Sequence, residues 1–255
     1  MTAEIVWITG ASTGIGRAIA LQYAAKGVRV FASARSEQKL SELVQAASNN
    51  RITALPCDVT KIESLRQAAQ TLLEKAGYLD RVIINAGTCE YFSVAKPDWD
   101  MMARVMKVNF FGAVNTVEVA LPLLRNNPNN NGHIAVTASL ASVVPFSRAQ
   151  AYGASKAALH YFFDSLRVDL AREKIAVTVI QPGFVETPMT AQNDFPMPFK
   201  LHSEKAAAII IKKLNAKPRL IRFPKRLAWL LSTLRHLPGL WHWLATKPLQ
   251  SSTAD

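Results

Sequence analysis

The chain has 255 residues, of which 49% are hydrophobic and 19% are charged. This composition can bury a sizeable core, and it excludes a disordered chain or an integral membrane bundle. The net charge of +12 suggests a polyanionic partner or cofactor. However, residues 1–204 carry 20 basic and 17 acidic side chains, whereas 205–255 carry 10 basic side chains and one acidic one. A nearly balanced body argues against nucleic-acid binding.

Short apolar segments alternate with helical patterns along the chain. The apolar segments are rich in Val and Ile and lack polar alternation, which indicates strands buried on both faces. Strands are predicted at 5–9, 28–33, 52–55, 81–85, 133–137 and 175–181, with helices at 14–26, 36–47, 60–75, 98–125 and 150–172. This alternation predicts an α/β fold with a doubly wound parallel sheet flanked by helices.

The last quarter of the chain has a different pattern. Prolines and apolar residues at 188–203, which we call the flap, are typical of a loop that covers a substrate. A helix at 203–215 and an edge strand at 219–223 complete a predicted domain over 1–222. A basic amphipathic extension over 223–255 is expected to contain a helix at 225–237.

A glycine-rich turn joins the first strand to the first helix. Glycine lets a ligand approach the backbone closely, and the free amides at a helix N-terminus face an anion. The turn therefore predicts a diphosphate site, with a tight turn that binds nothing as the alternative. The residues assigned to this site are Gly10, Ser12, Thr13, Gly14, Ile15 and Gly16.

The residue at the end of the second strand indicates which dinucleotide binds, because it contacts the adenosine ribose. An acidic residue there would bind the 2′-hydroxyl of NAD, but this chain has Ala34 followed by Arg35. Arginine suits a 2′-phosphate, to which Ser12 could add a hydroxyl, so NADP(H) is favoured and NAD(H) is the alternative. Arg35 could also be a solvated surface residue. Asp58 is expected to accept from the adenine amino group or to cap the helix at 60–75.

A second group of polar residues follows the later strands. Tyr152 and Lys156 are four residues apart on a predicted helix, so they share a face. Ser139 and Asn85 lie at or just beyond strand ends, where ligands bind in open α/β sheets. Asn109 lies in the long helix predicted at 98–125.

With these motifs the sequence resembles the short-chain dehydrogenase/reductase family over about residues 4–190. The resemblance implies a single Rossmann-type domain with a sheet of about seven strands, and a homodimer or homotetramer built around the helices at 98–125 and 150–172. The catalytic residues it implies are Asn109, Ser139, Tyr152 and Lys156. The further cofactor contacts it implies are Val59, Asn85, Ala86, Gly87, Tyr152, Lys156, Pro182, Gly183, Val185 and Thr187.

The resemblance implies an oxidoreductase that interconverts a carbonyl and an alcohol by hydride transfer, and Arg35 favours NADP(H) as its cofactor. Tyr152 would act as general acid or base, with its pKa lowered by the charge of Lys156. Ser139 would bind the substrate oxygen, and Asn109 would hold a relay water. The apolar flap favours an apolar substrate. A 3-oxoacyl-thioester reductase and a non-catalytic dinucleotide-binding scaffold or peripheral membrane protein are the alternatives.

The sequence of the cationic extension is compatible with several binding partners. Leu227, Leu230, Leu231, Leu234 and Leu237 recur at helical spacing among basic residues. They could pack on the same chain, on a second subunit, on a membrane surface or on an acidic protein such as an acyl carrier protein.

The histidine and cysteine spacing predicts no metal site. Cys57 and Cys89 are too few for a disulfide framework. Because the sequence has no signal-peptide pattern, we expect a cytoplasmic protein. Peripheral association with a membrane is left open.

Overall fold

A computed structural model describes residues 3–47 and 49–246. Its strands are β1 (Ile5–Thr9), β2 (Arg29–Ser33), β3 (Ile52–Ala54), β4 (Arg81–Ile84), β5 (His133–Thr137), β6 (Ala176–Pro182), β7 (Val185–Glu186), β8 (Leu201–His202) and β9 (Leu220–Phe223). Seven of them form one parallel sheet in the order β3-β2-β1-β4-β5-β6-β9, and β7 pairs with β8. The predicted α/β fold with a doubly wound parallel sheet is thus confirmed.

Helices cover both faces of this sheet. They are α1 (Gly14–Ala25), α2 (Glu37–Ala46), α3 (Ile62–Ala76), α4 (Asp100–Met106), α5 (Gly112–Arg125), α6 (Gln150–Leu170), α7 (Ser203–Leu214), α8 (Lys225–Leu234) and α9 (Pro238–Ala245). On β1, Val6 and Ile8 point into an apolar cluster with α1, α2 and α7. Trp7 points into the opposite cluster with α3, α5 and α6. All three side chains are fully buried, which explains the continuous apolar strand pattern.

The helix predicted at 98–125 is interrupted. A π-helical turn at Lys107–Phe111 separates α4 from α5. Such a turn inserts an extra residue into the helical repeat and occurs often at functional sites. At its end, a Cβ on Gly112 would come within 2.7 Å of the Val59 side chain, so this glycine lets α5 approach the loop after β3.

The C-terminal part also differs from the sequence prediction. The helix predicted at 225–237 ends at Leu234, and α9 follows with Pro238 in its first turn, where proline is tolerated. β9 reaches Phe223, one residue beyond the predicted domain limit. Residues 247–255 of the predicted extension lie outside the described residues. Across the described ranges, no helix is long and apolar enough to cross a membrane.

Candidate active site

A cleft of about 740 Å³ opens at the carboxyl ends of the strands. It lies where the strand order reverses between β1 and β4, which is the usual ligand position in a doubly wound sheet. The predicted residues that line it are Gly10, Ser12, Thr13, Gly14, Ile15, Arg35, Asp58, Val59, Asn85, Ala86, Gly87, Ser139, Tyr152, Lys156, Pro182, Gly183, Val185 and Thr187. Gly16 and Asn109 lie behind this lining.

The glycine-rich turn requires its glycines for steric reasons. Gly10 and Gly14 have φ values of +66° and +54°, a conformation that other residues rarely adopt. A Cβ on Gly10 would lie 2.7 Å from the Cα of Ala86, and one on Gly16 would lie 2.2 Å from the Gly10 carbonyl oxygen. The absence of a Cβ at Gly10 and Gly16 therefore lets the turn fold tightly on itself and pack against the segment after β4.

Arg35 has two neighbours in the cleft wall that the sequence analysis missed. Ser36 and Lys39 line the same end of the cleft. The Ser36 hydroxyl accepts from the Lys39 amide at 3.3 Å and caps α2. Lys39 lies four residues beyond Arg35, in the first turn of α2. A search of that turn for a second cation would have found it.

Asp58 does not cap a helix, because α3 begins at Ile62 with Lys61 in the cap position. Its carboxylate accepts instead from the amide and the hydroxyl of Thr60, at 3.0 and 2.8 Å. Burial raises the pKa of Asp58, but these hydrogen bonds and the charges of Arg35 and Lys61 outweigh it and lower the pKa below its ordinary value. Asp58 is therefore an ionised acceptor in the cleft wall.

The segment after β4 connects the glycine turn to the polar end of the cleft. The Asn85 side chain donates to the Gly10 carbonyl at 3.1 Å, and its amide donates to the Thr9 hydroxyl at 3.2 Å. A Cβ on Gly87 would lie 3.4 Å from Lys156 Nζ. Gly87 therefore leaves the space beside the lysine free.

Asn109 is buried in the π-helical turn and acts as a bridge within the protein. Its Oδ1 accepts from the Thr88 amide at 2.7 Å. Its Nδ2 donates to the Thr88 carbonyl and to the Ser155 hydroxyl, both at 2.9 Å. The Asn109 side chain thus ties the loop after β4 to α6, three residues from Tyr152.

Ser139, Tyr152 and Lys156 come together at the polar end of the cleft. Ser139 follows β5, and its Oγ accepts from the Ala141 amide at 3.1 Å. One turn of α6 separates Tyr152 from Lys156, whose Nζ lies 5.7 Å from the tyrosine ring centre. Lys156 is buried and donates to the Thr137 carbonyl at 2.9 Å.

The titration of this group differs from the sequence expectation. Burial raises the pKa of Tyr152 to about 12, although a hydrogen bond with Ser139 lowers it in part. Burial also lowers the pKa of Lys156 to about 8. The ammonium of Lys156 donates to a main-chain carbonyl rather than to the phenol, so desolvation outweighs the expected lowering of the tyrosine pKa.

Several polar contacts tie the flap to the body of the protein, and two of them involve Tyr91 and Arg148. The Tyr91 hydroxyl donates to Asn193 Oδ1 at 2.5 Å, and Arg148 pairs with the Asp194 carboxylate at 2.8 Å. The Tyr91 ring packs edge-on against Phe195, with ring centres 5.8 Å apart. No local signal in the sequence could have paired these residues, because Tyr91 and Asn193 are 102 positions apart.

The thiols and carboxylates do not form a metal site in the described part of the chain. Cys57 and Cys89 are free, and burial raises the pKa of each thiol. No group of three His, Cys, Asp or Glu side chains is arranged to hold a metal within 3–47 and 49–246.

Comparison with known proteins identifies the family of this chain. The short chain dehydrogenase family model matches residues 4–196. An uncharacterized oxidoreductase of Myxococcus xanthus is 36% identical over 230 residues, which are 89% of this chain and 90% of that protein. The 11-beta-hydroxysteroid dehydrogenase A of Sesamum indicum is 34% identical over 194 residues, which are 74% of this chain and 55% of that protein.

Two solved structures share the fold. A short chain dehydrogenase/reductase from Burkholderia phymatum, in complex with NAD, has a TM-score of 0.86 and 22% identity, with 98% of both chains covered. A short chain dehydrogenase from Burkholderia cenocepacia J2315, in complex with NADP, has a TM-score of 0.83 and 23% identity, with 96% of this chain and 98% of that chain covered. By its match to the family model and its identity to the relatives, this chain belongs to the short-chain dehydrogenase family of oxidoreductases.

Proposed function

We propose that this protein is an NADP(H)-dependent oxidoreductase that interconverts a carbonyl and an alcohol. The observation that carries the proposal is the position of Ser139, Tyr152 and Lys156 at one end of a cleft whose other end is the glycine-rich turn. A dinucleotide would lie between them, so that its reactive ring meets the proton donor. The substrate oxygen would lie between Ser139 and Tyr152.

The cleft residues fit such a dinucleotide. Gly10 and Gly14 line the cleft and let the turn pack closely against Ala86 and Thr187, beside the free amides at the start of α1, which suit a diphosphate. Arg35, Ser36 and Lys39 offer two cations and a hydroxyl for a 2′-phosphate. These cations favour NADP(H), although the family relatives of known structure were solved with either nicotinamide dinucleotide.

The side chains at the polar end divide the work of carbonyl reduction. The nicotinamide, when bound, supplies the hydride. A pKa of about 12 keeps the Tyr152 phenol protonated at neutral pH, so it can donate a proton to the substrate oxygen. Ser139 donates a hydrogen bond to that oxygen as negative charge develops on it. Lys156 would bind the nicotinamide ribose and provide positive charge beside Tyr152.

The substrate side of the cleft favours an apolar molecule. Met189 of the flap lines the cleft, and Phe195, farther along the flap, packs against Phe184 just beyond the end of β6, with ring centres 6.1 Å apart. One of the relatives is named as a hydroxysteroid dehydrogenase, which supports an apolar ketone or secondary alcohol. A 3-oxoacyl thioester is the second candidate, since its acyl chain would suit the same apolar wall.

We also propose a cytoplasmic homo-oligomer. Phe111 on the π-helical turn and Tyr161 and Val168 on α6 are exposed apolar or aromatic side chains of the two helical segments expected at the interface. An isologous contact through these helices would bury them. Light scattering after size-exclusion chromatography would measure the oligomeric state.

The decisive test is Tyr152→Phe, which removes the proton donor and keeps the ring. We expect NADPH oxidation with a panel of ketones, aldehydes and 3-oxoacyl thioesters to fall at least a hundredfold or so. NADPH binding, followed by fluorescence titration, should be retained. Unchanged turnover would refute the mechanism, and a wild-type protein that binds NADPH without turning over any carbonyl would favour the scaffold alternative.

A further inference from the structure

The outer surface of α8 and α9 exposes apolar side chains that the fold does not use. Leu227 and Leu231 on the inner side of α8 are buried against Leu140 and Val144. Five of its apolar side chains are between 41% and 72% exposed, and they are Trp229, Leu230, Leu237, Leu240 and Leu244. None of the α9 side chains is buried. We call these five residues the outer apolar surface.

Cations accompany this surface. Lys225, Arg226 and Arg235 are exposed on or beside α8, and within the described chain none of the three forms a salt bridge. The sequence has no Asp or Glu between positions 205 and 254, so no carboxylate of this segment neutralises them. Exposed leucine and tryptophan beside unneutralised lysine and arginine are typical of a helix that lies in the interface of an anionic membrane.

A second copy of the chain does not suit this surface. In a two-fold interface both copies would bring Lys225, Arg226 and Arg235 to one contact, and residues 205–254 contain no carboxylate that could offset their repulsion. We propose that the outer apolar surface binds an anionic lipid bilayer. Trp229 and the leucines would insert at headgroup depth, and Lys225, Arg226 and Arg235 would contact the lipid phosphates.

The bound bilayer would lie close to the flap, because the inner leucines of α8 pack against Phe184, whose ring contacts Phe195 of the flap. Leu227 packs against Gly183 in the cleft wall, since a Cβ added to this glycine would lie 3.0 Å from the leucine Cδ2. The indole of Trp241 on α9 donates to the Pro145 carbonyl at 2.8 Å, in the loop that follows Ser139. An apolar substrate could therefore pass from the bilayer to the flap. This second step rests on the proposed function, whereas membrane binding does not.

The test is co-sedimentation of the full chain with vesicles of phosphatidylcholine alone or mixed with phosphatidylglycerol. We expect binding only to the anionic vesicles, and weaker binding at high salt. Trp229→Glu/Leu230→Glu and Lys225→Glu/Arg226→Glu should each weaken the partitioning about tenfold or more. All four side chains are exposed, so the melting temperature should not change. The control, Lys26→Glu/Arg51→Glu, alters two exposed cations elsewhere and should bind like wild type.

Two results would overturn the proposal. One is a wild-type chain that does not sediment with anionic vesicles, as expected if an acidic protein is the true partner. The other is equal binding by the control and the two surface variants. The assay needs no turnover, so an inactive chain that binds vesicles would contradict the proposed function and leave membrane binding supported.

Discussion

The ammonium of Lys156 donates a hydrogen bond to the main-chain carbonyl of Thr137, with an N–O distance of 2.9 Å. Lys156 is only 4% exposed, and burial lowers its pKa to about 8. The bond fixes the lysine to the end of β5 beneath Tyr152. Because a buried charge with one main-chain partner is costly, the site holds this cation at the expense of stability.

We therefore predict that Lys156→Met stabilises the protein at neutral pH. Lys156 has a folded pKa of about 8 against an ordinary value of 10.5, so its penalty is full below pH 8 and fades as pH rises toward 10.5. Urea unfolding should show a gain of about 1–3 kcal/mol at pH 7 that shrinks by pH 9.5. Lys205→Met, at an exposed position, is the control, and a pH-independent gain would contradict the prediction.

Cofactor preference is tested at the Arg35 end of the cleft. Arg35→Asp replaces a phosphate partner with a carboxylate, which repels a 2′-phosphate and accepts from a 2′-hydroxyl. The dissociation constant for NADPH, measured by calorimetry, should rise about tenfold or more, and that for NADH should fall. Arg51→Asp removes an exposed arginine at the start of β3 and should change neither constant. A wild-type preference for NADH would contradict the assignment.

The glycine turn is tested at Gly16. Alanine there would place a Cβ 2.2 Å from the Gly10 carbonyl oxygen, so the backbone of the turn must shift. We expect Gly16→Ala to destabilise the protein by about 2 kcal/mol or more and to abolish NADPH binding at concentrations that saturate the wild type. Gly239→Ala is the matched control, because open space surrounds that glycine. Normal NADPH binding by Gly16→Ala would show that the turn adjusts.

The flap is tested at Tyr91. Tyr91→Phe removes the hydrogen bond to Asn193 and keeps the ring contact with Phe195. A typical hydrogen bond contributes about 1 kcal/mol, so the KM for the carbonyl substrate should rise a few-fold, with an unchanged dissociation constant for NADPH. Tyr78→Phe, at a tyrosine beyond the C-terminal end of α3, is the control. A KM equal to that of the wild type would show that this contact does not hold the flap over the substrate.

Local patterns along the sequence were enough to predict most of the fold. The apolar strands, the glycine turn and the helix with Tyr152 and Lys156 depend on periodicity and on neighbouring residues, which a sequence displays directly. The family resemblance added the prediction that Ser139 and Asn85 share one site with Tyr152 and Lys156 of that helix. These elements needed no knowledge of distant contacts, because parallel strands bring their carboxyl ends to one edge of the sheet.

Other features depend on which distant residues meet. The π-helical turn exists where Asn109 bridges Thr88 and Ser155, and no helical pattern predicts such an interruption. The raised pKa of Tyr152 follows from burial rather than from its neighbour in the helix.

The sequence by itself determined the parallel α/β fold, the order of the motifs and the excess of cations near the C-terminus. Only the tertiary structure decided that α8 packs its inner leucines beside the cleft and leaves Trp229 and Leu230 outside. The physical reason is that periodicity shows which residues share a face of a helix. Burial of that face depends on surfaces contributed by residues far away in the chain.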